Sequence, residues 1–464
     1  MIILTLLFVR IYDSQKGEPL SLWHTVQLKE LTAKQIDNAT WHDYLLAEDA
    51  LFVEVKQKIT DQLTKPKRKV LNRYLAGNPV NPNEFATNWN RSFILQPQGE
   101  PQGAVVLLHG LTDSPYSLRN IALHYQAKGF VAIVIRMPAH GTAPVALTTV
   151  EWQDWLAATR LAVRTVENYI TADKPLHLVG YSNGGALALM YSLDALSDPH
   201  LKPAQQIILI APMIGVTGFA KLAGLVELPA ILPPFVRTRW IDIITEYNPF
   251  KYNSFPVNGA RQSYQLTAAL QNKYLHTNKT MLANLPPILT FISAVDNTID
   301  NQATIDFYHY LADHNDTLVV FDVNRSRYTE PLLNDRAYQA VTDLLPPEPR
   351  DYNTIVVTNS DSQSLKTVAI TTAFGQTAKK LTELTCEYPR HLYSLSHIGL
   401  TYPENDSLYG SQPAQFNEFG ISLGALTLHG ERRTLINSLD NLLRGSYNPF
   451  YPFLLEQIDE TIAR

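Results

Sequence analysis

An α/β architecture on a mostly parallel central sheet follows from three features of this 464-residue chain. Short apolar runs alternate with amphipathic helical segments, which implies right-handed crossovers between parallel strands. Two of the runs, Ala104–Leu108 and Val131–Ile135, are apolar at every position, the pattern of a strand covered on both faces. A third run, Leu176–Gly180, breaks at its glycine and becomes helix-compatible just after Ser182. Reactive groups on such a sheet gather beyond the carboxyl ends of its strands.

The elements follow in order. Ile2–Val9 is apolar but far shorter than the roughly 20 residues needed to span a bilayer, and it lacks both a basic lead and a small-residue cleavage site. It reads equally as the end of a longer signal or anchor and as a first strand or docking segment. Thr40 opens a helix reaching about Leu63, with Trp41, Tyr44, Leu45, Phe52, Val55, Ile59 and Leu63 on one face, a stripe suited to packing on the body. After strand 104–108, Ser114-Pro115 starts a helix carrying Leu118, Ile121, Ala122 and Tyr125, and Gly129 stops it. Strand 131–135 and a helix marked by Trp152, Trp155, Leu156, Ala162, Val163 and Val166 come next, then strand 176–180, the helix after Ser182, and strand Gln206–Ala211. Further strands are expected at Pro287–Ala294, Thr317–Val323, Thr354–Thr358 and Lys366–Thr372. A last helix is expected near Thr434–Leu443, and the aromatic run Tyr447–Phe453 reads as packing.

Gly180-Tyr181-Ser182-Asn183-Gly184 is a Gly-x-Ser-x-Gly turn between strand and helix. A strand that becomes a helix within one residue crowds its own backbone, so a Cβ two positions before or after the serine would clash. The turn lifts the Ser182 hydroxyl above the sheet. Such a five-residue pattern also occurs in ordinary glycine-rich turns, so its weight rests on the flanking strand and helix. The loop His109-Gly110-Leu111-Thr112-Asp113-Ser114-Pro115, after strand 104–108, is where an oxyanion loop belongs, with the amides of Leu111 and Asn183 as donors. His109 and His140 each read better as loop-structuring residues than as bases.

The loops His109–Ser114 and Arg136–Thr142, together with the Ser182 turn, resemble those of the α/β-hydrolase superfamily, in particular the branch of monoacylglycerol lipases, lysophospholipases and serine aminopeptidase-like hydrolases. The resemblance spans about residues 90 to 325 and weakens at both ends. It implies an α/β-hydrolase fold with a lid insertion and N- and C-terminal extensions. It divides the chain into an N-terminal helical extension (1–89), the first part of the core (90–212), a lid (213–285), and the second part of the core (286–464) with an insertion at about 325–390. It also implies a serine, acid, histidine order along the chain. Asp296, just after strand 287–294, is the acid favoured over Asp300 and Asp322, although one of these aspartates could instead cap the helix beginning near Asn301. The histidine departs from the family pattern. After Val323 the chain reads Asn324-Arg325-Ser326-Arg327-Tyr328 with no histidine, while His309 and His314 come too early. If 325–390 is an insertion that extends the sheet, His397 returns on the loop Tyr393–Pro403 and is favoured over His391 and His429; each could instead be a polar residue without chemistry.

About seventy residues separate Pro212 from Pro287, too many for a simple connection. The stretch holds Phe219, Leu222, Leu225, Val226, Leu228, Pro229, Ile231, Leu232, Pro233, Pro234, Phe235 and Trp240, then Tyr247–Tyr252. Most of these side chains pack the lid onto the sheet. What remains favours uncharged, partly apolar substrates, and the absence of a Lys or Arg cluster argues against a phosphorylated headgroup or nucleotide.

With 45% hydrophobic and 17% charged residues the chain has ample core for one large domain with extensions. A net charge of −5 gives no reason to expect nucleic acid. Lys65–Lys69 is a solvated basic helix end with anionic lipid as its other reading. One cysteine, Cys386, excludes an internal disulfide, and no metal-ligand spacing or phosphate-cradling loop appears, so no cofactor is expected. The expected activity is a serine hydrolase cleaving carboxylic esters with an apolar acyl group through an acyl-enzyme. The alternatives are a peptidase or amidase of the same branch and a catalytically silent binding protein on this fold. Expected partners are small-molecule esters or lipids. The N-terminus is a candidate for membrane contact, so the reading is membrane-associated or exported if a longer signal or anchor precedes Met1, and cytoplasmic otherwise.

Overall fold

The computed structural model describes residues 19–64, 68–215, 233–311, 316–415, 418–426 and 447–463, together with Tyr12 and Pro66. Helix α1 (Trp41–Lys58) leads to β1 (Phe93–Leu95), β2 (Gly103–Leu108), α2 (Arg119–Ala127), β3 (Phe130–Ile135), α3 (Trp152–Val166), β4 (Leu176–Tyr181), α4 (Asn183–Ala195) and β5 (Gln206–Ile210). A small hairpin, β6 (Trp240–Asp242) with β7 (Phe255–Pro256), and helix α5 (Val257–His276) stand between β5 and β8 (Ile288–Ser293). The chain continues through α6 (Asn301–Leu311), β9 (Thr317–Phe321), α7 (Asp335–Leu344), β10 (Asn353–Asn359), β11 (Lys366–Thr372), β12 (Lys379–Glu387) and α8 (Tyr451–Ile462).

Among the described residues ten strands form one sheet in the order β1-β3-β2-β4-β5-β8-β9-β10-β11-β12. The seven from β3 to β10 in that order run parallel, and only β1, β11 and β12 are antiparallel to their neighbours. This is the mostly parallel sheet expected from the alternating pattern. Every residue of β2, β3, β4, β5 and β8 is buried, as strands sandwiched between helices must be.

The amino-terminal helices join the main core through Ile36 and Tyr44. Tyr44 donates to the Arg136 carbonyl at 2.6 Å, and the buried Arg136 guanidinium is held by Glu48 at 3.0 Å and Glu30 at 3.1 Å. This cluster ties α1 to the carboxyl end of β3. A buried charge left without its partner is costly, about 3–5 kcal/mol, so the cluster fixes where the loop after β3 begins.

Some element boundaries differ from the sequence expectation. The first long helix ends at Lys58 and continues only as a 3₁₀ turn, Thr60–Gln62, while the helix expected from Ser114-Pro115 begins as a 3₁₀ turn at Pro115–Leu118. Strand β12 was not expected: its residues are mostly exposed and include Lys379, Lys380, Glu383 and Glu387, as suits the open edge of a sheet, and so carry no core pattern. The aromatic run near the carboxyl end opens α8, whose Leu454 and Ile458 are fully buried. The apolar stretch 2–9, the lid residues 219–232 and the helix expected at 434–443 lie outside the described residues.

Candidate active site

Ser182 sits between β4 and α4 with φ 54° and ψ −117°, a left-handed conformation that costs a non-glycine residue about 1–3 kcal/mol. Three hydrogen bonds hold it there. Its N–H donates to Ile210 O at 2.9 Å, and its carbonyl accepts from the N–H groups of Gly185 and Met213, each at 2.9 Å. The flanking glycines are demanded by the same crowding. A Cβ at Gly180 would stand 2.4 Å from Gly184 O, and one at Gly184 only 1.9 Å from Leu108 O.

Asp296 follows the carboxyl end of β8, and His397 arrives on a loop 101 residues later. The His397 Nδ1–H donates to Asp296 Oδ2 at 2.7 Å, with the carboxylate side chain fully enclosed and the imidazole 9% exposed. The other carboxylate oxygen accepts from the Thr298 N–H at 2.7 Å and the Ile299 N–H at 3.4 Å. Burial alone would raise the Asp296 carboxyl, but the His397 imidazole and these amides outweigh it and hold the group below its usual range. Such a carboxylate stays ionised and keeps the Nδ1 proton on the histidine, leaving Nε2 free to act as a base.

The histidine loop is fastened along its length. Asn324, fully buried just after β9, donates through Nδ2 to Leu392 O at 2.8 Å, and its own N–H donates to Tyr393 O at 2.8 Å. Ser293, the last residue of β8, donates to Leu395 O at 2.9 Å. Tyr181 donates to the His397 carbonyl at 3.4 Å, with its ring 5.3 Å from the imidazole. Beyond His397, buried Asp406 accepts from Tyr116 Oη at 2.7 Å and Asn120 Nδ2 at 3.0 Å, which clips this segment to the turn and helix after β2. Sequence reasoning missed Asn324, Ser293 and Asp406. The one available signal was Asn324, which stands after β9 where a histidine was looked for.

Ser182, Asp296 and His397 line one cavity of about 580 Å³, together with Gly110, Leu111 and Thr112. The loop of these last three is pressed against the serine, since a Cβ at Gly110 would lie 3.0 Å from Ser182 Cβ. Asn183 is the first residue of α4, where amides have no intrahelical acceptor, and Leu111 lies on the cavity wall. Asn183 thus opens the helix that follows the serine, and Leu111 belongs to the loop pressed against it.

The remaining candidates are elsewhere. His109 Nδ1–H donates to Gly110 O at 2.9 Å and its Nε2 accepts from the Met137 N–H at 3.0 Å; burial lowers its pKa to about 3, and it links two loops as a neutral ring. His140 is bonded to Pro138 O at 3.0 Å and is likewise kept neutral by burial. Asp300 accepts from the Gln302 N–H at 3.1 Å at the start of α6, and Asp322 is held by Arg325 at 3.0 Å and Thr358 at 2.9 Å. His391 is exposed, His309 is an exposed residue of α6 paired with Asp351 at 3.3 Å, and His314 and His429 lie outside the described residues.

A family model described as "Alpha/beta hydrolase family" matches residues 105–360, more than half of the chain. Solved structures with similarity include a metagenome-derived lipolytic enzyme (18% identity, 51% of this chain and 88% of that one, TM-score 0.41). Others are the monoglyceride lipase of Saccharomyces cerevisiae (14% identity, 49% and 81%, TM-score 0.38) and a carboxyl esterase of Bacillus coagulans (16% identity, 49% and 84%, TM-score 0.38). No curated protein matches the chain.

Proposed function

Because the chain belongs to the alpha/beta hydrolase family, we propose that it hydrolyses carboxylic esters through an acyl-enzyme on Ser182. The observation that carries this reading is the Asp296–His397 pair on the wall of the cavity into which the strained Ser182 turn opens. In the proposed reaction His397 Nε2 takes the Ser182 proton as Oγ attacks the ester carbonyl, and Asp296 stabilises the imidazolium that forms. The amides of Leu111 and Asn183 receive the developing oxyanion, each worth about 3 kcal/mol in such a role. Collapse of the tetrahedral adduct breaks the bond to the alcohol, which leaves with the proton from His397. Water, deprotonated by the same nitrogen, then cleaves the acyl-enzyme and restores the serine. Ile244, Phe255, Val323, Leu333 and Leu423 give the cavity the apolar surface an acyl chain needs.

The test is turnover of p-nitrophenyl esters of graded chain length against aminoacyl p-nitroanilides, with labelling by a fluorophosphonate probe. Ester turnover and labelling that vanishes in Ser182→Ala are expected. Turnover of the anilides alone would replace the ester reading with an amidase, and equal labelling of wild type and Ser182→Ala would remove the serine from the chemistry.

A further inference from the structure

Among the described residues lining the cavity there is one lysine and no arginine, and it is Lys251. Its backbone is fixed from both sides. The Lys251 N–H donates to Asn248 Oδ1 at 3.2 Å, and the next residue, Tyr252, donates its N–H to Thr112 O at 2.8 Å. The Tyr252 hydroxyl also donates to Ala139 O at 3.1 Å and accepts from the Thr142 N–H at 2.8 Å. Lys251 is therefore anchored against the loop that runs beside Ser182.

Its ammonium group is poorly neutralised by the protein. The only ionic partner recorded for it among the described residues is Asp113, whose Oδ2 lies 4.0 Å away, outside hydrogen-bond range. That carboxylate oxygen is buried and has no hydrogen-bond partner. Burial raises the Asp113 carboxyl against the opposing pull of Lys251. The Lys251 side chain is 21% exposed and lines the cavity. The other carboxylates on the wall are committed: Asp296 to His397, and Asp242 to an interaction within the protein.

We propose that Lys251 binds a carboxylate carried by the substrate, so that the preferred esters are anionic: half-esters of a dicarboxylic acid, or esters of an alcohol that bears a carboxyl group. This rests on the ester-hydrolase reading and refines the expectation of uncharged substrates. That expectation came from the lid's lack of a basic cluster, whereas one cation beside the oxyanion loop is enough to orient a single carboxylate. A lysine serves as a point charge without demanding bidentate geometry, so the carboxylate can sit on either side of the scissile bond.

The experiment compares two matched pairs on the full-length protein. For the acyl side the pair is p-nitrophenyl butanoate and the p-nitrophenyl half-ester of glutarate; for the alcohol side it is phenyl butanoate and 4-carboxyphenyl butanoate. In wild type the ratio of kcat/KM for the anionic over the neutral member is expected to exceed ten in one pair, which also tells which side carries the charge. In Lys251→Met that ratio falls at least ten-fold and in Lys251→Arg it largely persists; because it is a ratio, a general loss of activity cancels. Lys251→Gln takes the place of the methionine variant if that does not fold. A wild-type ratio near one in both pairs, or the same ratio with and without the lysine, overturns the proposal while leaving ester hydrolysis standing. Absence of turnover on all four esters together with absence of fluorophosphonate labelling rejects the hydrolase reading itself.

Discussion

Replacing Asp296 by asparagine tests the proposed chemistry most sharply, because the structure fixes which way the new amide faces. Asp296 Oδ1 is the acceptor for two backbone amides, Thr298 at 2.7 Å and Ile299 at 3.4 Å. An asparagine carbonyl can take that place and an NH₂ group cannot, so the NH₂ is directed at His397 Nδ1, 2.7 Å away in the native pair. A donor there forces Nδ1 to accept, and the single proton of the neutral imidazole moves to Nε2. The ring then keeps its position but has no lone pair to offer Ser182. In a serine protease of unrelated fold the same change of tautomer lowers kcat by about ten-thousand-fold, which corresponds to about 5 kcal/mol of lost transition-state stabilisation. The assay is pre-steady-state acylation of Ser182 with p-nitrophenyl butanoate, beside a thermal melt. The expected result is a native-like melt with acylation slowed by about 10³–10⁴-fold. Acylation within tenfold of wild type would refute the reasoning, because a histidine in the wrong tautomer could not be the base.

Four further outcomes follow. Acidification should remove stability contributed by Asp296: its folded carboxyl lies below its ordinary value near 3.8, so the contribution is complete above that pH and is lost as pH falls through the lower folded value, and the Tm difference between wild type and Asp296→Asn should shrink below about pH 4. Glu48→Ala removes the Arg136 Nε contact and the Ser92 bonds to Glu48 while Glu30 still pairs with the 3% exposed guanidinium, and should cost about 1–3 kcal/mol in denaturant unfolding; an unchanged stability would show that these bonds contribute nothing net. Gly184→Ala places a Cβ 1.9 Å from Leu108 O, which no side-chain adjustment can relieve, so the variant should fail to fold or lose more than about 3 kcal/mol, and a wild-type melt would contradict the close approach. Asn324→Ala removes the donor to Leu392 O and should slow fluorophosphonate labelling of Ser182 by about 10–100-fold at temperatures where the variant is fully folded, since about 1.4–3 kcal/mol is set by one buried hydrogen bond; unchanged labelling with a lowered Tm would assign Asn324 to stability alone.

What could be read from the sequence was what local sterics and burial impose. Strands β2 and β3 announce themselves because a strand covered on both faces is apolar throughout, β4, β5 and β8 because most of their residues are apolar, and the Ser182 turn because its glycines are required within two residues of the serine. Asp296 could be located because it immediately follows a buried strand. Strand β12 could not, since an edge strand with Lys379, Lys380, Glu383 and Glu387 is patterned for solvent. Lys251, Asn324 and Asp406 were equally hidden: each is an ordinary polar residue whose significance comes from a partner far along the chain, 68 residues away for Asn324 and Leu392 and 290 for Tyr116 and Asp406.

The position after β9 joins these points. The parallel strand β9 ends there beside β8, the strand that Asp296 follows. The chain has asparagine rather than histidine at 324 and runs on through α7, β10, β11 and β12 before it returns. Asparagine suits that exchange. Its side-chain amide donates to the Leu392 carbonyl, beside the main-chain bond from the 324 N–H to Tyr393 O, four to five residues ahead of His397. A histidine acting as a base would have both ring nitrogens committed and none left for the Leu392 carbonyl, and a loop held only by its distant ends would have its closure entropy set against the required geometry. The buried amide thus does for the later loop what direct attachment to β9 would have done for a histidine at 324: it fixes the point from which the imidazole reaches Asp296. In the proposed function, the sheet extension through β12 and the late position of His397 are thus linked by the hydrogen bonds of Asn324.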